Sequence, residues 1–232
     1  MDLLRPPGPC DAAGEGRAPV LFVMLPGAYS RPPEFVDEGF VQALRQRGVA
    51  ADVVIADSHL GYFGEKSVLE RLRADVVLPA RARGYRQVWL VGISLGGLAA
   101  LGYAVRHGDE ITGALVLAPY LGPRRLMLEI SEAGGPRAWR TNPAARGQDE
   151  LDREIWDWLA APPPAAPPVW LGYGLDDRFA DAHRVAAGLL PPGRVSTAPG
   201  GHDWPAWRAL WAGWLDGALA AGRLPLGCGA PP

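Results

Sequence analysis

Lysine is almost missing from this chain. Of its 23 basic residues only Lys66 is lysine, so chemistry built on a lysine nucleophile is not expected. Cysteine is nearly as scarce. Cys10 and Cys228 lie near opposite ends, in Pro/Gly-rich stretches, and two cysteines supply neither a metal cluster nor a disulfide framework. One terminal bridge would join them, but two free thiols on frayed ends is the expectation. An excess of charge is lacking too. The formal net charge is −2 and the charges are scattered, which argues against nucleic acid or anionic lipid as the main partner. The N-terminal stretch MDLLRPPGPCDAAGEGRAPV has no apolar run and is broken by prolines and acids, so it does not read as a secretory leader. The long uncharged stretch from Val88 to Val105 is interrupted by Gly92, Ser94, Gly96, Gly97 and Gly102, so it reads as strand, turn and helix rather than a membrane span. No group of His, Asp and Glu has metal-ligand spacing. These absences imply a cytoplasmic protein with no metal, no cofactor and no membrane span. They leave its oligomeric state open.

What is present is a large apolar fraction, 48% of 232 residues, arranged in short runs. Val20–Pro26, Ala51–Asp57, Val88–Ser94, Gly113–Pro119, Pro168–Gly174 and Arg194–Gly200 read as strands. Segments with helical spacing stand between them: 34–48, 66–83, 95–108, about 179–190, and the closing helix from Trp204. Pro79 is expected to kink the second of these or mark its exit. Such alternation predicts an α/β fold, a doubly wound and mostly parallel sheet of about six strands with helices on both faces. Residues 1–18 read as a flexible lead, 19–222 as the domain and 223–232 as a flexible tail. Residues 122–167 break the alternation and read as a lid-like insertion holding Trp156 and Trp158.

Only six serines occur, and one of them, Ser94, stands in Gly92-Ile93-Ser94-Leu95-Gly96 between a strand and a helix. A G-x-S-x-G turn there pushes the hydroxyl out of the sheet, and its small neighbours let strand and helix crowd together. The N–H groups that follow point at a helix N-terminus, where negative charge is favoured. A serine nucleophile needs a base, and four histidines compete. His107 and His183 sit on helices and read as surface or capping groups. His59 follows the second strand. His202, in the Gly-rich APGGHDW loop after the last strand, is the best placed. For the carboxylate, Asp176 and Asp177 both follow the fifth strand, and one of them has the alternative role of a helix cap. Trp204, Trp207, Trp211 and Trp214 share one helix face, which reads as core packing.

The order Ser94, Asp, His202 resembles the α/β-hydrolase superfamily, specifically a small serine esterase-like member, across about Pro19 to Ala221. That resemblance implies a trimmed α/β-hydrolase fold. It favours Asp177 over Asp176, because the family's acid often stands in a strand–Gly-x-x-Asp pattern, here Gly174 to Asp177. It implies an oxyanion hole from the N–H groups of Ala28 and Leu95, the first in the LPGAYS turn, where Pro26 replaces the family's usual histidine. Tyr29, beside that turn, and Trp204, just after His202, are the candidate substrate contacts.

The expected activity is hydrolysis of a small-molecule carboxylic ester or thioester through an acyl-enzyme. Lactonase or acyltransferase chemistry on the same residues is the near alternative. A catalytically silent binding module on the same fold is the distant one. A nucleotide-binding protein is excluded, since GISLGG has neither a P-loop lysine nor dinucleotide-fingerprint spacing.

Overall fold

Central strands buried on both faces need apolar residues at every position, which is why Val20–Leu25 and Gly113–Leu117 carry no charge. In this computed structural model, which describes residues 1–10, 18–140 and 151–227, the strands are β1 (Leu3–Leu4), β2 (Val20–Leu25), β3 (Ala51–Ala56), β4 (Gln87–Ile93), β5 (Gly113–Leu117), β6 (Val169–Gly174) and β7 (Val195–Ala198). They form one sheet in the order β1-β3-β2-β4-β5-β6-β7, parallel throughout except for β1 against β3. The helices are α1 (Pro32–Asp37), α2 (Phe40–Gln46), α3 (Leu60–Gly64), α4 (Val68–Leu72), α5 (Leu78–Ala82), α6 (Leu95–His107), α7 (Arg124–Glu132), α8 (Pro136–Arg140), α9 (Leu151–Ala160), α10 (Ala180–Ala187) and α11 (Trp204–Ala220).

The pleat sends alternate side chains of β2 into two separate cores. Leu21, Val23 and Leu25 join the layer formed by α4, α6 and α9. Val20, Phe22 and Met24 join the layer formed by α1, α2 and α11. In that second layer Trp207, Trp211 and Trp214 are buried, and Trp211 stacks on Phe40 at 5.7 Å between ring centres. Burial of each such ring contributes about 1.5–3 kcal/mol. None of the described helices is long and apolar enough to cross a membrane.

The sheet has seven strands where about six were expected. Leu3 and Leu4 pair antiparallel with Ile55 and Ala56, so an edge strand comes from the segment expected to be a flexible lead. Cys10 is 2% exposed and disulfide-bonded, not a free thiol; Cys228 lies outside the described residues. The start of the expected flexible tail is also docked. Leu224 is buried, the Ala50 N–H donates to the Pro225 carbonyl, and Leu226 bridges to Val49. In each case a leucine that sequence position alone assigns to solvent finds an apolar neighbour.

Two helical segments are also broken. Gly39, with φ 79°, separates α1 from α2. Between α4 and α5 the chain makes a π-turn over Arg73–Val77, in which the Leu78 N–H reaches back to the Arg73 carbonyl. Pro79 is the cause, because it lacks an N–H and its ring would press on the carbonyl four residues back. The helix widens there instead of ending.

Candidate active site

The elbow is built by close packing. The Ser94 N–H continues the ladder by donating to the Leu117 carbonyl at 3.0 Å, and the backbone then turns to φ 52°, ψ −112°. That strain, about 1–3 kcal/mol for a non-glycine residue, is held by two bonds to the Ser94 carbonyl. Leu98 N–H donates at 3.1 Å and Tyr120 N–H at 2.9 Å. A Cβ on Gly92 would lie 2.2 Å from the Gly96 carbonyl oxygen, and one on Gly96 would lie 2.0 Å from that of Leu25. Neither position admits a side chain, so the G-x-S-x-G spacing is a steric requirement of this turn.

The β2 exit is pressed against the elbow. A Cβ on Gly27 would sit 3.5 Å from the Ser94 Cβ. Ala28 follows in a turn closed by the Ser30 N–H to the Gly27 carbonyl at 3.2 Å. Neither the Ala28 N–H nor the Leu95 N–H donates to a protein acceptor among the described residues. Both are therefore free to receive an external anion, one at the β2 exit and one at the first residue of α6.

Past β6 the two neighbouring acids part company. Asp176 is exposed, whereas Asp177 is 5% exposed. Asp177 Oδ1 accepts the Phe179 N–H at 2.7 Å, and Oδ2 lies 2.8 Å from His202 Nδ1. Burial alone pushes the Asp177 carboxyl up, but the bonds from His202 and Phe179 outweigh it and hold it below the ordinary aspartate value. Asp177 therefore stays ionised as an acceptor, and the His202 proton is fixed on Nδ1. That leaves Nε2 free to accept a proton. Ser94 Oγ makes no hydrogen bond to His202 in this structure. Such bonds commonly tighten only in the reacting complex.

Of the other histidines, only His183 departs from the expected surface or capping role. His59 caps α3, with Nδ1 accepting the Gly61 N–H at 3.1 Å. His107 lies 3.8 Å from Glu70. His183 is no surface group: it is wholly buried, with Nε2 2.9 Å from the Pro119 carbonyl. Burial pushes its pKa down, against the raising effects of that carbonyl and of Asp177. The reason it lies inside is α10, which packs this face on β6 beside Tyr173 and Phe179.

Of the two candidate substrate contacts, Tyr29 is 90% exposed in the turn after β2. Trp204 packs edge-on against Phe35, Phe40 and Trp207. It is Trp207, at 5.2 Å between ring centres, that meets His202, and Phe179 meets it at 5.3 Å. Sequence reading gives Trp207 only as core and passes over Phe179 and Tyr120. Phe179 stands two residues after the acid, which is the one signal that points to it. Two cavities flank Tyr120. One, of about 680 Å³, is lined by Leu95, Leu98, Leu69 and Leu151. The other, of about 780 Å³, is lined by Phe179, Leu121, Met127 and Val185.

A parallel sheet sandwiched by helices, with a strained serine at the turn after β4 and an aspartate–histidine pair after β6 and β7, defines an α/β-hydrolase. The chain belongs to the esterase family whose model, "Putative esterase", matches residues 66–215, about two thirds of its length. Solved structures share the fold at low identity. A ferulic acid esterase is 20% identical with a TM-score of 0.59, covering 89% of this chain and 86% of its own. Est1E from Butyrivibrio proteoclasticus, with ferulic acid bound, is 14% identical with a TM-score of 0.61, covering 94% and 95%. The S-formylglutathione hydrolase FrmB from Staphylococcus aureus is 13% identical with a TM-score of 0.56, covering 84% and 79%. No curated protein matches the sequence.

Proposed function

We propose that the chain is a serine hydrolase that cleaves a small carboxylic ester through an acyl-enzyme. The observation that carries this is the partly buried Asp177–His202 hydrogen bond, set at the same carboxyl end of the sheet as the strained Ser94 turn. Ser94 Oγ attacks the acyl carbon while His202 Nε2 accepts its proton. The ionised Asp177 favours the imidazolium that results. The Ala28 and Leu95 N–H groups receive the negative charge on the carbonyl oxygen, each contributing about 2.7–4 kcal/mol in the transition state. His202 then protonates the leaving alkoxide, and a water repeats the cycle to release the acid.

Two cavities suit the two halves of an ester. Phe179 packs on His202, so the cavity it lines takes the leaving group that His202 protonates. The cavity lined by Leu95, on the side of the oxyanion donor, takes the acyl group. The insertion supplies one wall of each, through Leu151 and Met127, which supports its role as a pocket wall. The test is labelling with a fluorophosphonate followed by peptide mapping. Modification of Ser94 in the wild type, and none in Ser94→Ala, is the expected result. A folded wild type that stays unlabelled and cleaves no 4-nitrophenyl ester overturns the reading.

A further inference from the structure

Several of the described cations are held by nearby acids. Arg47 pairs with Asp216, Arg73 with Glu110, Arg106 with Glu154, Arg140 with Asp157 and Arg153 with Glu129. Lys66 and Arg125 differ. Both are exposed, both line the 680 Å³ cavity beside Leu95, and among the described residues neither has an ion pair or a side-chain hydrogen bond. The acid that feels Arg125, Glu129, is already engaged by Arg153 and Trp139. Asp152 is the acid in the cavity wall among the described residues. It has a partner of its own and lies against Gly122.

Local physics disfavours both placements. Lys66, the sole lysine, has φ 55°, a conformation that suits glycine and strains a side chain. Arg125 stands in the first turn of α7 next to Arg124, where the helix dipole repels a cation, and Pro123 gives that turn no side-chain cap. Two charges with no ion pair among the described residues therefore face a cavity whose wall combines an apolar stretch, Phe63, Leu69, Leu98 and Leu151, with Tyr120, Asp152 and the Glu154-paired Arg106. An apolar wall with cations at its rim is complementary to an amphipathic anion.

We infer that this cavity receives acyl groups that end in a carboxylate, with the chain along Leu69, Leu98 and Leu151 and the carboxylate between Lys66 and Arg125. The inference rests on the ester-hydrolase reading, and it names the class of ester within it. An ammonium and a guanidinium together offer charge-assisted hydrogen bonds that a neutral acyl end cannot use. The preferred substrate is thus the monoester of a dicarboxylic acid, and the products are an alcohol and the free diacid.

The experiment compares mono-4-nitrophenyl adipate with 4-nitrophenyl hexanoate, two acyl chains of equal carbon number. The expected kcat/KM ratio favours the adipate by about tenfold or more at low salt, and declines as salt is added. The double variant Lys66→Met with Arg125→Met should bring that ratio to about one. Arg86→Met removes an equally exposed cation at the opposite end of β4 and should leave the ratio as it is. Lys66→Glu with Arg125→Glu should reverse the preference, toward an acyl chain ending in trimethylammonium. Binding of monomethyl suberate to Ser94→Ala protein, followed by calorimetry, reads the subsite without turnover. It should weaken about tenfold or more in the double variant. A wild-type ratio near one, or a preference that survives in the double variant, overturns the proposal. Should no ester be cleaved and no fluorophosphonate react, the hydrolase reading fails. The suberate titration then still decides the subsite.

Discussion

His183 Nε2 lies 2.9 Å from the Pro119 carbonyl, in the interior between α10 and the exit of β5. The next residue, Tyr120, donates its N–H to the Ser94 carbonyl at 2.9 Å. One buried imidazole thus ties the helix that follows Asp177 to the loop that steadies the Ser94 turn. The Pro119 carbonyl can only accept, so the His183 proton is on Nε2. Nδ1 is left buried without a partner.

That arrangement sets a pH dependence. Burial depresses the His183 pKa in the folded state, so the unfolded chain binds the extra proton first. Its contribution to stability is full above the unfolded value, about pH 6.5, and is lost as pH falls through the lower folded value. His183→Gln should lower stability at pH 7 by about 1–3 kcal/mol, through the disturbed bond to Pro119. It should also flatten the fall in stability between neutral and mildly acid pH. Urea unfolding at pH 7 and pH 5 measures both. An unaltered pH slope in the variant would show that His183 does not carry it.

The two adjacent acids should separate kinetically. Asp177→Asn removes the acceptor that fixes the His202 proton on Nδ1, and should lower kcat by about 10³–10⁴-fold with the fold retained. Asp176→Asn, at an exposed position, should change kcat by less than about threefold. Steady-state rates on one 4-nitrophenyl ester decide it, and the opposite ranking would assign the role to Asp176.

Trp156 is wholly buried, and its Nε1–H donates to the Leu121 carbonyl at 2.8 Å. Trp156, in the segment that reads as a lid-like insertion, is therefore placed as a structural residue rather than as pocket wall. Trp156→Phe should destabilise the protein by about 1–3 kcal/mol without altering the preferred acyl length. Denaturant midpoints and a series of ester chain lengths test this. A shifted length preference at unchanged stability would return Trp156 to the pocket wall.

The order of strands and helices was legible because it rests on local pattern. Apolar runs bounded by glycine and proline gave six of the seven strands to within about two residues at each end. The serine turn was legible for a similar reason. Gly92 and Gly96 lie two residues from Ser94, and their crowding follows from a strand meeting a helix at that point. The glycine break at 39 and the π-turn before Pro79 were only partly legible, since Pro79 announces a disturbance but not which hydrogen bond is rearranged.

Burial and partnership depend on residues far apart in the chain, and these only the folded structure decided. Asp176 and Asp177 are equivalent by composition and separated by burial, because the turn after β6 directs one carboxylate inward to a histidine 25 residues away. His183 looks like any helical surface histidine until α10 is laid on β6. Leu3 and Leu226 stand in segments too rich in proline and glycine to promise structure, yet each is held by a strand or turn about 50 or 175 residues distant. The cations at the cavity rim follow the same rule. Nothing in the neighbourhood of Lys66 or Arg125 in sequence says that they will face one cavity, because Lys66, between α3 and α4, and Arg125, in α7, meet beside Leu95 and Leu98 of α6 only in the folded chain.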